Sequence, residues 1–190
     1  MEALVEIDKA LFLWLNGLGS PSYDGFWMVM THRASNVVLY FFLWLYFIYK
    51  TNWKSGVILL VFTGVLILCT DQLTNLVKVT AGRLRPCYNQ EIKAWVRLVK
   101  PTCGNRFGFF SGHASNSFAL AVFYSLLLKP YLKKKVLLLF LIAALIAYSR
   151  VYIGVHFPLD IVIGALAGAA LGYGFYLLWR RFIPFQELKK

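Results

Sequence analysis

Acidic residues are scarce in this chain. Eight Asp and Glu stand against 20 Lys and Arg, leaving a formal charge of +12. Such an imbalance suits nucleic acid or anionic lipid headgroups. What else is missing decides between them. No stretch gathers the cations into a separate basic domain; they punctuate apolar runs, and a nucleic-acid partner is excluded on that ground. No internal repeat and no low-complexity tract occur. The first residues, Met-Glu-Ala-Leu-Val-Glu-Ile-Asp, lack the basic start of a secretion signal, so no cleavable signal is expected. Cysteines number three: Cys69 inside an apolar run, and Cys87 and Cys103 in one polar stretch.

Apolar residues are abundant, at 59% of 190 residues, with a mean hydropathy of +0.64. Soluble domains sit nearer half. Apolar segments at roughly 35–50, 55–78, 112–129, 134–153 and 157–180 predict an all-α integral membrane bundle with about five transmembrane helices. Residues 1–190 are read as a single domain. Residues 1–34 hold two shorter stretches, Leu4 to Leu18 and Tyr23 to Met30, broken by Gly17, Gly19 and Pro21. Their mixture of Glu6, Asp8, Lys9 and Asp24 with Trp14, Phe26 and Trp27 predicts interfacial helices. A sixth span is the alternative. Residues 79–110 form the longest polar connection, and Trp95, Val96, Leu98 and Val99 predict that it packs against the bundle. Gly164, Gly168 and Gly172 recur every four residues, as expected where helices approach closely in lipid.

Ionisable groups inside apolar spans are costly, and their positions point to function. Lys78 closes the second span and Arg85 follows it. Ser111, Gly112 and His113 open the third, Arg150 closes the fourth, and His156 and Asp160 open the fifth. Threading the spans alternately across a bilayer brings all of them to one level on one face. Three cations suit phosphate oxygens, the arginines through their planar forks. Ser111 stands at an N-cap position, where a helix terminus offers backbone N–H groups to an anion. Two imidazoles suffice for a nucleophile and a general acid. Asp160, four residues after His156, is placed to orient it if the helix starts near Pro158. Two histidines and an aspartate also suggest zinc, but three nearby positive charges repel a dication, so no metal and no cofactor are expected. Each residue alone has a plainer reading: Lys78 snorkelling, Ser111 capping, Asp160 pairing with Arg150. Asp71, two turns before Lys78, is read as a structural partner inside the bundle.

These residues carry a resemblance. Lys78 through Arg85-Pro86, then Phe110-Ser111-Gly112-His113, then Ser149-Arg150 through His156 to Asp160 resemble the three motifs of the type 2 phosphatidic acid phosphatase superfamily. The motifs span residues 78–160. Phe110 stands where the family has proline. The resemblance implies a metal-independent lipid phosphatase. His156 would form a phosphohistidine, Asp160 would position it, and His113 would protonate the leaving oxygen. Lys78, Arg85, Ser111, Gly112 and Arg150 would bind phosphate. Undecaprenyl pyrophosphate is the first substrate suggested, with phosphatidylglycerol phosphate and lipid A phosphate open. Phosphotransfer to another lipid and non-catalytic lipid binding are the alternative functions.

Sidedness is less legible. Lys50, Lys54, Lys129, Lys133, Lys134, Lys135, Arg180, Arg181, Lys189 and Lys190 lie on the face away from the site, opposed only by Glu187. The active face is also basic, at Lys9, Arg33, Arg83, Lys93, Arg97, Lys100 and Arg106. The compact Lys133–Lys135 cluster favours a cytoplasmic assignment for its own face. Cys87 and Cys103 suit an oxidising compartment and a disulfide; two free thiols in a cytoplasmic loop are the alternative. The expectation is a bacterial inner membrane with the site facing the periplasm. The partners expected are a lipid substrate and the bilayer, and the sequence carries no reading of oligomeric state.

Overall fold

The computed structural model describes residues 2–183, without the side chain of Arg33. Glu187, Lys189 and Lys190 of the basic face lie outside the described residues. The chain forms helices α1 (Glu2–Gly17), α2 (Pro21–Thr31), α3 (Arg33–Lys50), α4 (Trp53–Ala81), α5 (Gly112–Leu132), α6 (Leu137–Tyr152) and α7 (Pro158–Phe182). Among the described residues there is no strand, only an isolated bridge between Leu84 and Phe107 in the loop from α4 to α5.

Three helical stretches are long and apolar enough to cross a membrane: 53–81, 112–152 and 158–182. The middle one turns back at Lys133, which has φ 51°, and so becomes α5 and α6 packed against each other. α3 is a shorter apolar helix; its 18 residues reach about 27 Å, close to the ~30 Å of a hydrocarbon core. The chain is thus an all-α, multi-pass membrane bundle, and α3 to α7 correspond to the five expected segments.

Helix ends follow local chemistry. The side chain of Asn52 accepts from Ser55 N at 2.9 Å to start α4. Gly82, at φ 60°, ends it in the left-handed conformation that a side chain resists. α4 therefore extends to Ala81, and the loop begins later than residue 79. Ser111 caps α5, and Pro158 fills the first position of α7.

α5 is the central helix, and most of its length is buried against α4, α6 and α7. Its contact with α7 is a backbone-to-backbone approach. A methyl group on Gly164, Gly168 or Gly172 would lie 2.6, 2.0 or 2.3 Å from the carbonyl oxygens of Ser111, Ser115 and Ala119. The four-residue glycine spacing therefore brings the backbone of α7 directly against that of α5, and it holds their N-termini side by side.

α1 and α2 pack on this end of the bundle. Asp8, Phe12 and Asn16 of α1 face inward, while Leu4, Ile7, Leu11 and Trp14 are exposed. Phe12 meets Phe157 edge-on, with ring centroids 5.3 Å apart. Trp27 of α2 stacks on Tyr152 at 5.1 Å. The loop is anchored as expected through Val96, Leu98 and Val99. Trp95 departs from that expectation: it is 70% exposed, and Ile92 takes the buried position beside Phe12.

Candidate active site

The turn between α6 and α7 carries His156. The carbonyl of Arg150 accepts from both Val155 N and His156 N, at 3.0 and 3.3 Å, so the last turn of α6 folds over the loop. Gly154 supplies a positive φ of 84°. It sits where a Cβ would strike the Arg97 carbonyl at 2.6 Å, so glycine is required twice over.

His156 is 2% exposed, and its Nδ1 lies 3.2 Å from Asp160 Oδ2. One turn of α7 separates the two residues, which is why a four-residue spacing suffices. Asp160 is fully buried. Its Oδ2 also accepts from Phe157 N at 3.0 Å, and its Oδ1 accepts from Arg83 Nη1 at 2.7 Å. Burial pushes the His156 imidazole well below the ordinary histidine range, and the charges of Arg150, Arg85 and Lys78 push it further. The ring is therefore neutral at pH 7. Nδ1 faces Asp160, and the ring also hydrogen-bonds the Gly108 backbone.

The three cations expected at the site all act on His156, but each is held differently. Arg85 is buried along the loop, donating Nε to the Phe107 carbonyl at 3.3 Å and Nη1 to the Cys103 carbonyl at 3.1 Å. Gly108 lets it approach Asp160: a Cβ there would lie 3.0 Å from Arg85 Cγ and 3.2 Å from Asp160 Oδ2. Arg150 is buried, and its Nη1 donates to Thr31 Oγ1. Lys78 Nζ comes within 3.9 Å of where a Cβ on Gly112 would be, at the first turn of α5.

Ser111 joins the second and third motifs. Its N–H donates to the Asp160 carbonyl at 2.9 Å, while its Oγ caps α5 by accepting from Ala114 N. His113 follows on the same first turn and is half-buried. Phe110, in the proline position, is buried beside Gly164. Cys87 and Cys103 are joined as a disulfide with Cα atoms 6.4 Å apart, within the usual range. The bridge closes the loop next to Arg85.

Several supporting residues were not singled out from the sequence. Arg83 counted there only as one more active-face cation. It grips Asp160 with one nitrogen and Asp8 of α1 with another, and its guanidinium lies 4.4 Å from the Phe157 ring centre. Asp8 in turn accepts from Leu159 N at 2.8 Å. Asp160 thus pairs with Arg83. Asn16 donates to the carbonyls of Arg97, Val151 and Tyr152 and accepts from Arg97 N. Arg97 closes on Asp24 with two contacts of 2.7 Å. These pairs are 73 or more residues apart in sequence, so no local pattern announces them.

Asp71 has a partner on a neighbouring helix, as expected, but not in the interior of the bundle. It is exposed on α4, and its Oδ1 accepts from Asn116 Nδ2 of α5 at 2.8 Å.

A buried, neutral imidazole beside a carboxylate, with cations and a helix N-terminus close by, has the chemistry to attack an electrophile that carries negative charge. Comparison with known proteins gives the family. The chain is 36% identical over 183 residues to a lipid A 4'-phosphatase of Bacteroides thetaiotaomicron, covering 94% of this chain and 79% of that protein. It is 31% identical over 180 residues to a lipid A 4'-phosphatase of Porphyromonas gingivalis, covering 94% and 75%. Its fold matches the crystal structure of a transmembrane PAP2-type phosphatidylglycerolphosphate phosphatase from Bacillus subtilis. That match has a TM-score of 0.76 at 20% identity and covers 97% of this chain and 90% of that one. A model of the PAP2 superfamily matches residues 55–184, which contain all three motifs, and the chain belongs to that superfamily of membrane lipid phosphatases.

Proposed function

We propose that this phosphatase removes the phosphate of a lipid A-type headgroup through a covalent intermediate on His156. In this reading Lys78, Arg85 and Arg150, with the Ser111 hydroxyl and the backbone N–H of Gly112, hold the three phosphate oxygens. His156 Nε2 attacks phosphorus in line with the leaving oxygen, and His113 gives that oxygen a proton. The bond from phosphorus to the leaving oxygen breaks as the N–P bond forms. Water, deprotonated by His113, then attacks phosphorus, releases inorganic phosphate and restores His156. Asp160 holds the ring with Nε2 forward and balances its charge when it carries the phosphoryl group.

The observation that carries the mechanism is the 3.2 Å contact between the buried side chains of His156, through Nδ1, and Asp160. The substrate rests on a different footing. Two relatives aligned over 94% of the chain are lipid A 4'-phosphatases, which moves lipid A phosphate ahead of undecaprenyl pyrophosphate. We assign the site to the periplasmic face of a bacterial inner membrane. The Lys133–Lys135 turn between α5 and α6 would then lie in the cytoplasm, and the Cys87–Cys103 bridge would form in an oxidising compartment.

Phosphate release from a panel of lipid phosphates by purified protein, with and without EDTA, tests the reading. Lipid A phosphate should lead the panel, EDTA should leave the rate unchanged, and His156→Ala should abolish it. Near-normal release by His156→Ala would falsify the nucleophile, and loss in EDTA restored by zinc would establish a metal enzyme instead. Alkylation of intact cells before lysis tests the sidedness: Cys87 and Cys103 should resist modification until reduced.

A further inference from the structure

Asp71 is a carboxylate near the middle of an apolar span, and the mechanism does not use it. Such groups are rare because lipid solvates them poorly, and they mark a pathway or a ligand. Its setting is specific. Asn116 donates to Oδ1 at 2.8 Å, and the Asn116 side-chain oxygen accepts from Thr70 Oγ1, so the carboxylate is held in one orientation. Among the described residues Oδ2 has no protein partner. Asp71 is nevertheless exposed, between the lipid-facing Leu68 and Leu76.

The position is continuous with the phosphate site. Asp71, Thr74 and Lys78 share one face of α4 at three- and four-residue steps. They oppose Gly112 and Asn116, one turn apart on α5. A Cβ on Gly112 would lie 3.3 Å from Thr74 Cγ2 and 3.9 Å from Lys78 Nζ, so the two helices touch there. Thr74 is 2% exposed, and its hydroxyl has no partner. A polar stripe therefore descends from the phosphate-binding lysine to Asp71, about 10 Å deeper along the helix at ~1.5 Å per residue. A clamp between α4 and α5 would need only Asn116 and Thr70. The outward carboxylate adds an acceptor where the upper part of a bound lipid would run.

We propose that Asp71, oriented by Asn116, accepts a hydrogen bond from a hydroxyl in the acyl-linkage region of the substrate, and so selects lipids that carry that donor over acyl or polyprenyl chains that lack it. This deepens the reading of Lys78 and its neighbours as a lipid-phosphate site and rests on it. A carboxylate has acceptors only, which fixes the chemistry it recognises as a donor.

The test uses two synthetic phosphorylated glycolipids that differ only in the 3-hydroxyl of their acyl chains. kcat/KM is measured for both with wild-type protein, Asp71→Asn, Asp71→Ala and Asn116→Ala. Wild type should prefer the hydroxylated lipid by about tenfold, the scale of one hydrogen bond to a charged group. Asp71→Ala and Asp71→Asn should bring that ratio near one, and Asn116→Ala should lower it in part. Native mass spectrometry of His156→Ala protein with the same lipids follows the preference without turnover. A binding preference that persists where neither lipid is hydrolysed would overturn the phosphatase substrate and keep the Asp71 assignment. Equal losses on both lipids in the Asp71 variants, or no preference in wild type, would reduce Asp71 to a helix clamp.

Discussion

Arg83 supplies the most informative perturbation. Asp160 is fully buried, and its nearest full positive charge is the Arg83 guanidinium at 2.7 Å, itself anchored to Asp8. Removing one partner of a buried ion pair typically costs about 3–5 kcal/mol, because the other charge is left without compensation. The lower end applies here, since the Arg83 side chain keeps 20% of its surface exposed and Asp160 retains the Phe157 N–H. The effect on rate has a separate origin. Without the clamp, the carboxylate and the imidazole it steers can drift, and a displacement of about 1 Å costs on the order of 10²-fold. Arg83→Ala should therefore lower kcat by about 100-fold with KM little changed, and should lower the melting temperature in detergent. Arg83→Lys should recover stability better than rate, because one ammonium cannot hold Asp160 and Asp8 in the same fork geometry. Asp8→Asn keeps the shape of Asp8 and should reproduce a smaller part of the kcat loss. Turnover of a lipid phosphate and thermal unfolding are measured on each variant. Folded Arg83→Ala protein with wild-type kcat would refute the positioning role, whatever its melting temperature.

Arg150→Lys should lose about 100-fold in kcat/KM although the charge is kept, since the fork that reaches Thr31 while facing His156 cannot be replaced by a point charge; steady-state kinetics on purified protein checks this. Gly168→Ala should destabilise by about 1–3 kcal/mol or more, because the methyl would lie 2.0 Å from the Ser115 carbonyl oxygen, whereas Gly174→Ala meets nothing within 4 Å and should be neutral. Detergent melting curves separate the two. His156 is buried neutral, its pKa held down by burial and three cations, so the unfolded chain takes up a proton near pH 6.5 that the native chain refuses. Stability should therefore fall as pH drops below about 6.5, and His156→Gln should flatten that slope. In the same range kcat/KM should show no acid limb from His156, which a pH–rate profile with a soluble phosphate ester checks.

Much of this architecture is written locally. The five apolar segments, the Ser111 cap and the four-residue step from His156 to Asp160 each depend on neighbours within a turn or two. Composition and spacing therefore suffice to place Lys78, Arg85, Ser111, His156 and Asp160 at one end of the bundle. The supporting shell is written differently. Asp8 with Arg83, Asn16 with Arg97 and Thr31 with Arg150 are 75, 81 and 119 residues apart. Nothing periodic connects them, and Arg83 looks like any other loop cation until α1 is laid beside it. Trp95 misled for a related reason. An aromatic in a polar loop suggests burial, yet Ile92 fills the gap beside Phe12 and Trp95 is left outside.

Helix α1 has a consequence of a mechanical kind. One side of it presents Leu4, Ile7, Leu11 and Trp14 outward, and another delivers Asp8 to Arg83 and to the amide that opens α7. It lies before the segment that matches the superfamily, yet it braces the orienting carboxylate of the reaction. In the proposed interfacial placement of α1, the bilayer surface would form one wall of the proposed site. Whatever lifted α1 from that surface, whether a stripping detergent, a bulky fusion at the N-terminal side or a sharply curved vesicle, would withdraw the brace without touching Lys78, Arg85 or Arg150. The rate would then gauge how firmly the membrane presses on α1.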